Sequence, residues 1–242
     1  MSAMDGPPGL IDWIPNLLRG LGNTMLVTVL ATILMVVLAV ILGLMARSRR
    51  MPVRGVARVV IEFFRGTSLP IQLLWFYFAL PMVGFQLNAI FAGVLAFGLN
   101  YGAYGAEVVR GAINAVPRPQ WEAATALNLS SWQRMTRVVW PQAIPLMIPA
   151  MNNLFIQLFK STPLLFAITI IDVMQMGEAF RFAGGNSTAM YLLLMVVYFV
   201  IAYAVTFLMN LAEAAAKKRL GQHEGVRSMF RTRKPVPQEV TP

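Results

Sequence analysis

Residues 66–106 contain no Asp, Glu, Lys or Arg. At about 20 residues per crossing of a hydrocarbon layer, an uncharged run of this length suffices for two membrane spans. Composition agrees: 57% of the residues are hydrophobic and 12% are charged, so most of the chain must lie against lipid or other apolar surface. Because that layer offers no water to main-chain N–H and C=O groups, such segments are expected to be helices. The same inventory excludes several chemistries. There is no cysteine, hence neither a disulfide nor a thiolate metal site, and the one histidine, His223, lies in a polar C-terminal stretch. No cluster of His or Cys exists from which to build a metal centre or a nucleophile pair. The G-x-x-x-x-G-K-S/T phosphate loop is also missing, so any ATP hydrolysis belongs to another chain.

Five apolar segments are expected as spans: residues 23–45, 59–80, 89–109, 150–171 and 188–211. The first is followed at once by Arg47, Arg49, Arg50, Arg54 and Arg58. The positive-inside tendency makes that block cytoplasmic and puts the N-terminus outside. A signal peptide would show the reverse order, with basic residues ahead of the apolar core, so this segment is expected to be retained. Pro81, Gly84 and Asn88 mark the turn between spans two and three. Residues 112–149 form a polar loop. Pro141, Pro145 and Pro149 each lack an N–H and clash with the preceding turn, so they are expected in an interfacial bend ahead of the fourth span. Asp172, Glu178, Arg181, Gly184 and Gly185 are expected in a mixed-charge outer loop. Lys217, Lys218, Arg219, Arg227, Arg231, Arg233 and Lys234 crowd the C-terminal end. With Arg118, Arg134 and Arg137 they outnumber the outside cations Arg19 and Arg181. The predicted architecture is therefore an all-α integral membrane protein, N-out and C-in. It has an extracytoplasmic segment 1–20, a membrane domain 21–216 and a basic cytoplasmic tail 217–242 expected to be disordered. The net charge of +10 follows from this topology, and such juxtamembrane cations answer to anionic lipid rather than to nucleic acid.

Within the polar loop stand Glu122-Ala123-Ala124, then Asn128, Val138 and Trp140-Pro141. This spacing resembles the EAA signature of bacterial ABC importer permeases, in which E-A-A is followed after three residues by Gly and later by a hydrophobic-x-hydrophobic-Pro end. Asn128 stands where Gly is usual and Trp140 where Leu is usual. Further runs are similar to the polar amino acid uptake branch, and in its order: Arg65-Gly66-Thr67, residues 103–111, Gln120-Trp121, Pro141-Gln142-Ala143 and Lys160-Ser161-Thr162-Pro163-Leu164. The resemblance covers roughly residues 15 to 220. Residues 99–107 with Ala126-Leu127-Asn128 further resemble the permeases for the compatible solutes ectoine and hydroxyectoine.

The resemblance implies the type I, MetI-like fold, with a cytoplasmic coupling helix between spans three and four. It also implies a bacterial cytoplasmic-membrane importer. Its partners would be a dimer of ATP-binding subunits holding ATP and Mg, a second permease subunit of the same or a homologous chain, and an extracytoplasmic solute-binding protein. This chain itself would hold no cofactor. The coupling residues would be Trp121, Glu122, Ala123, Ala124, Asn128 and Pro141, with Glu122 as polar contact and the two alanines permitting close approach. Asn, like Gly, tolerates the left-handed conformation needed after the helix. Read from residues alone, Trp121, Ala124 and Leu127 also fit an ordinary amphipathic surface helix.

Arg65, Glu107, Arg110 and Lys160 are ionisable groups in or beside apolar spans. A charge at the bilayer centre costs about 2.5–3.5 kcal/mol on insertion scales, so such groups face protein or a watery path. Arg65, Thr67, Ser68, Tyr101, Tyr104, Glu107, Lys160 and Thr162 are the candidate translocation path. Arg65 or Lys160 would meet a carboxylate, and Glu107 or the tyrosine faces a cationic end. Two structural alternatives stand beside this: Glu107 pairs with Arg110 one helical turn on, or the cations snorkel to the interface. Residues 63–70 and 158–164 also echo each other as aromatic, cation, small residue and Thr, which suggests a parallel internal repeat. Trp75, Phe76, Tyr77 and Phe78 are expected as an interfacial belt, and the 16 methionines as packing. The expected function is the membrane-spanning subunit of an ATP-driven importer for polar amino acids or related zwitterions, working by alternating access. Rival readings are a secondary transporter or channel acting alone, or a membrane enzyme.

Overall fold

The structure, a computed structural model, describes Gly9 and residues 11–219, and every regular element among them is helical. Part of the expected segment 1–20 and nearly all of the tail 217–242 lie outside the described residues. Three helices are long and apolar enough to cross a membrane: α1 (Ile14–Ala46), the helix over Ala89–Ala115, and Ser187–Leu211 of the last helix. Two bent helix pairs bring the number to five if each counts as one span.

Helix α1 is followed by α2 (Met51–Gly66), α3 (Leu69–Leu74) and α4 (Ala89–Ala115). The core is built where α1 crosses α4. There α4 offers Gly98, Gly102 and Gly105, which let the backbones approach closely, as lipid-embedded helices need in the absence of a hydrophobic drive. A Cβ at Gly105 would lie 2.7 Å from Ala39 Cβ, and one at Gly102 would lie 2.9 Å from Leu38 Cβ. Val27, Ala31, Met35, Phe97 and Tyr101 continue this core and are buried. On α1 Thr24, Thr28 and Thr32 donate their hydroxyls to carbonyls four residues back, at 3.1, 2.7 and 2.7 Å, so these three donors are paired within the helix.

The expected second span, 59–80, is not one straight helix: α2 and the helical segment Leu69–Val83 meet at 103°. Thr67 and Ser68 are extended there, because Pro70 in the first turn of α3 has no N–H to donate to the turn before it. After α3 the chain runs through a π-helical turn, Trp75–Ala79, and a 3-10 turn, Leu80–Val83, that ends at Gly84 with φ 93°. Of the expected aromatic belt, Trp75 and Phe78 face outward, whereas Phe76 and Tyr77 pack against the core.

After α4 come α5 (Arg118–Ala126) and α6 (Ser131–Gln133), a π turn (Arg134–Val139), α7 (Trp140–Ser161) and a 3-10 stretch (Thr162–Ile168). The last four form one helical rod, so the prolines do not sit in a bend outside a helix beginning near residue 150. Pro141 occupies the first turn of α7, and Pro145 and Pro149 lie inside it. The π turn makes this possible: Trp140 N–H donates to Met135 C=O, five residues back, which shifts the hydrogen-bond register just before the Pro141 ring. The α-helical part ends at Ser161 rather than at 171, since Pro163 follows and Thr169 is left-handed with φ 61°. The expected outer loop is a helix, α8 (Val173–Phe182). Asp172 caps it by accepting the Gln175 N–H at 2.7 Å, and Glu178 and Arg181 pair one turn apart. Finally α9 (Ser187–Arg219) packs along α7 and α8 with most of its apolar side chains turned outward.

Gly105→Leu is expected to push α1 from α4, because the opposing atom is a fixed Ala39 Cβ rather than a flexible chain end. The cost should be about 1–3 kcal/mol, read as a lower Tm of the purified protein in lipid.

Candidate functional site

Two groups of polar residues stand out, one on α5 and one around the middle of α4. Helix α5 lies across the base of the rod. Its inward side carries Ala124, 2% exposed, and Trp121, which packs with Val139, Ile113 and Trp140. Arg47, just past the end of α1, lays its guanidinium 5.4 Å from the Trp121 ring centre and donates to Asn114 Oδ1. Glu122, Ala123, Thr125 and Ala126 remain exposed, and Leu127 and Trp132 beside them are 74% and 76% exposed. Trp121, Glu122, Thr125 and Ala126 line an open hollow of about 350 Å³. Ala124 is therefore small because it meets this chain's own rod, and of the two alanines only Ala123 is on the open face. Asn128 has φ 55°, the left-handed conformation that ends α5. Pro141 lies on the rod rather than on α5.

The second group surrounds the break between α2 and α3. Asn100, buried in α4, donates to Phe64 C=O at 2.9 Å and to Gln72 Oε1 at 3.3 Å. Gln72 donates to Phe64 C=O at 2.9 Å and to Thr67 Oγ1 at 2.5 Å, while Thr67 Oγ1 donates to Phe63 C=O at 2.8 Å. The carbonyls freed by the break are thus answered by side chains. One turn along α4, Tyr104 donates to Arg65 C=O at 3.3 Å, and the Arg65 guanidinium lies 5.3 Å from the Tyr104 ring centre. Tyr101 shares a hydrogen bond of 2.7 Å with Ser161 at the end of α7. So α4 joins the two halves of the sequence echo. Both halves end a helix: Thr67 follows Gly66 at the C-cap of α2, and Thr162 follows Ser161 at the C-cap of α7. A cation in the last helical turn, Arg65 or Lys160, also complements the negative end of the helix dipole.

The candidate path residues are not all together. Arg65, Thr67, Tyr101 and Tyr104 cluster around α4, and Ser68 and Lys160 are exposed. Thr162 is fully buried with its hydroxyl donated to Phe159 C=O, away from any open surface. Glu107 is held by Arg110 through Nε at 3.0 Å and Nη2 at 2.5 Å, the structural alternative for this pair. Asn100, Gln72 and Ser161 join the site without being among the residues the sequence singles out for it. For Asn100 and Gln72 the signal is an uncharged amide in an apolar span, joined for Asn100 by the glycine spacing Gly98-x-x-x-Gly102 on the same helix; for Ser161 it is the hydroxyl beside Lys160 in the repeated cation, small residue, Thr pattern.

Residues 35–219 match the family described as binding-protein-dependent transport system inner membrane component. The chain belongs to that family. It is a translocation subunit, a permease of an ABC transporter, and not itself an enzyme. It is 42% identical over 216 residues to the probable amino-acid ABC transporter permease protein y4tF of Sinorhizobium fredii, covering 87% of this chain and 91% of that one. It is 31% identical to the L-cystine transport system permease protein TcyB of Bacillus subtilis, covering 86% and 88%. The crystal structure of an amino acid ABC transporter with histidines superposes with a TM-score of 0.80 at 31% identity, over 89% of this chain and 100% of that one. As a family member this permease works with an ATPase and a substrate-binding component.

Asn128→Gly is expected to preserve stability, since Gly adopts the φ of 55° without penalty, whereas Asn128→Val should cost about 1–2 kcal/mol. Thermal unfolding of both variants in lipid checks this.

Proposed function

We propose that this permease imports polar amino acids or related zwitterionic solutes, ectoine among them, across a bacterial cytoplasmic membrane, with its N-terminus outside and its C-terminus inside. The observation that carries the reading is the two-sidedness of α5. Trp121 and Ala124 fix it to its own chain while Glu122, Ala123, Ala126 and Leu127 offer a contiguous open face. That face suits docking onto one member of a dimer of ATP-binding subunits. A second permease subunit, the same chain or a homologue, would cover the polar side of α4, and a solute-binding protein would deliver cargo from outside. Amino acids fit because the relatives named above include amino-acid and L-cystine permeases, and because Arg65 and the tyrosines of α4 suit a carboxylate and a cation. Closure of the ATP-binding subunits would draw the α5 helices together, and the two permeases would rock about the path between them.

The test is ATP hydrolysis by the complex in lipid with its solute-binding protein, titrating ectoine, glutamate, glutamine and arginine. One solute should stimulate the wild type, and Glu122→Lys should lose the stimulation, because reversing a charge at a docked surface costs several kcal/mol. Solute movement by the purified chain without any ATPase would refute the reading in favour of a secondary transporter or channel.

A further inference from the structure

Helix α5 touches the rod through more than Trp121 and Ala124. Near its C-terminal end Thr125 Oγ1 accepts from Arg134 Nη1 at 2.6 Å. Near its N-terminal end Gln120 Oε1 accepts from Gln142 Nε2 at 3.3 Å, and the same amide donates to Val138 C=O at 2.8 Å. The placement of these contacts is informative. Arg134 is the first residue of the π turn and Gln142 lies three residues past its end, beyond Pro141. The two fastenings therefore straddle the part of the rod where the hydrogen-bond register changes and Pro141 supplies no N–H. Gln142 holds two partners at once, a main-chain carbonyl of the π turn and a side chain of α5.

We infer that Gln142, with Arg134, is a positioning residue that splints the π turn to α5, so that a push on α5 turns α7 instead of being absorbed at Arg134–Val139. The inference rests on the reading of α5 as the ATPase-docking helix. It explains why a rod carrying Pro141, Pro145, Pro149 and Pro163 can still pass on a displacement. From the end of the splinted turn onward, Val139, Ala143 and Met147 recur every four residues and pack with Val109, Ala112 and Ile113 of α4, so the base of the rod is guided along one face. Further along, Ser161 hands the motion to Tyr101. Neither Gln142 nor Gln120 contacts the path residues around Tyr104 and Arg65, so their effect is on coupling and not on solute contact.

The test compares wild type, Gln142→Leu, Gln120→Leu and Glu122→Lys as complexes with the ATP-binding subunits and solute-binding protein in vesicles, measuring both ATP hydrolysis and uptake of the solute that stimulates the wild type. Gln142→Leu is expected to keep hydrolysis within about twofold while uptake per ATP falls about tenfold, in the range that losing a bridging hydrogen bond produces. Gln120→Leu removes only the bridge to α5 and leaves the Val138 bond intact, so it should reproduce the uncoupling. A local role at the π turn would leave Gln120→Leu silent, and that result overturns the inference, as does a normal uptake-to-hydrolysis ratio in Gln142→Leu. If Gln142→Leu does not assemble, Gln120→Leu decides alone. Glu122→Lys separates the two levels: if it behaves as wild type, the docking reading falls and this inference with it. If it abolishes stimulation while Gln120→Leu stays coupled, only the splint is wrong.

Discussion

A main-chain carbonyl inside a hydrocarbon layer has no water to turn to, and leaving it unpaired costs several kcal/mol. The irregular parts of this permease follow from how that constraint is met. Breaking a helix at Thr67 and Ser68 frees the carbonyls at the end of α2, and Asn100 and Gln72 answer Phe64 C=O. Where the chain bends by 103°, α4 brings Asn100 beside the break, and Gln72 and Tyr104 answer carbonyls there as well. The glycines that let α4 approach α1 so closely thus serve the break as well, since they set where α4, and hence Asn100, stands.

The rod meets the same constraint differently. Pro141, Pro145 and Pro149 remove three donors from one helix, and the π turn before them shifts register so that the chain continues instead of stopping. The Gln142 amide covers the Val138 carbonyl beside Pro141. At the far end Pro163 closes α7, and Tyr101 receives Ser161. Break and rod thus converge on neighbouring turns of α4, where Tyr101 and Tyr104 stand, with Arg65 beside Tyr104.

What could be read from the sequence divides along the same line. The helices Ile14–Ala46 and Ala89–Ala115 and the stretch Ser187–Leu211 show as long apolar runs because nothing interrupts their main-chain ladders. The other two apolar segments read as spans, but their breaks did not. Pro70 shows that a donor is missing but not that the chain turns there, because the bend depends on Asn100 of a distant helix, and Pro145 and Pro149 read as a bend because a π turn leaves no mark in composition. The helix over Val173–Phe182 was hidden by its charges, which the Glu178–Arg181 pair absorbs within one turn. At the site, Glu122, Ala123 and Asn128 stand out through their resemblance to the EAA signature, whereas the inward turn of Ala124 and Thr162 depends on which neighbours the fold supplies.

The central claim is that the broken span beside α4 faces a path whose access changes with the ATP cycle. The chain contains no cysteine, so Ser68→Cys introduces a single reactive thiol at the exposed edge of the break. Its labelling by a membrane-impermeant thiol reagent, applied from each side of oriented vesicles holding the whole complex, measures that access directly. The account predicts labelling from the cytoplasmic side without nucleotide, and loss of that labelling when ATP and vanadate trap the closed state. Equal reactivity in both states, or no reactivity from either side, would contradict it.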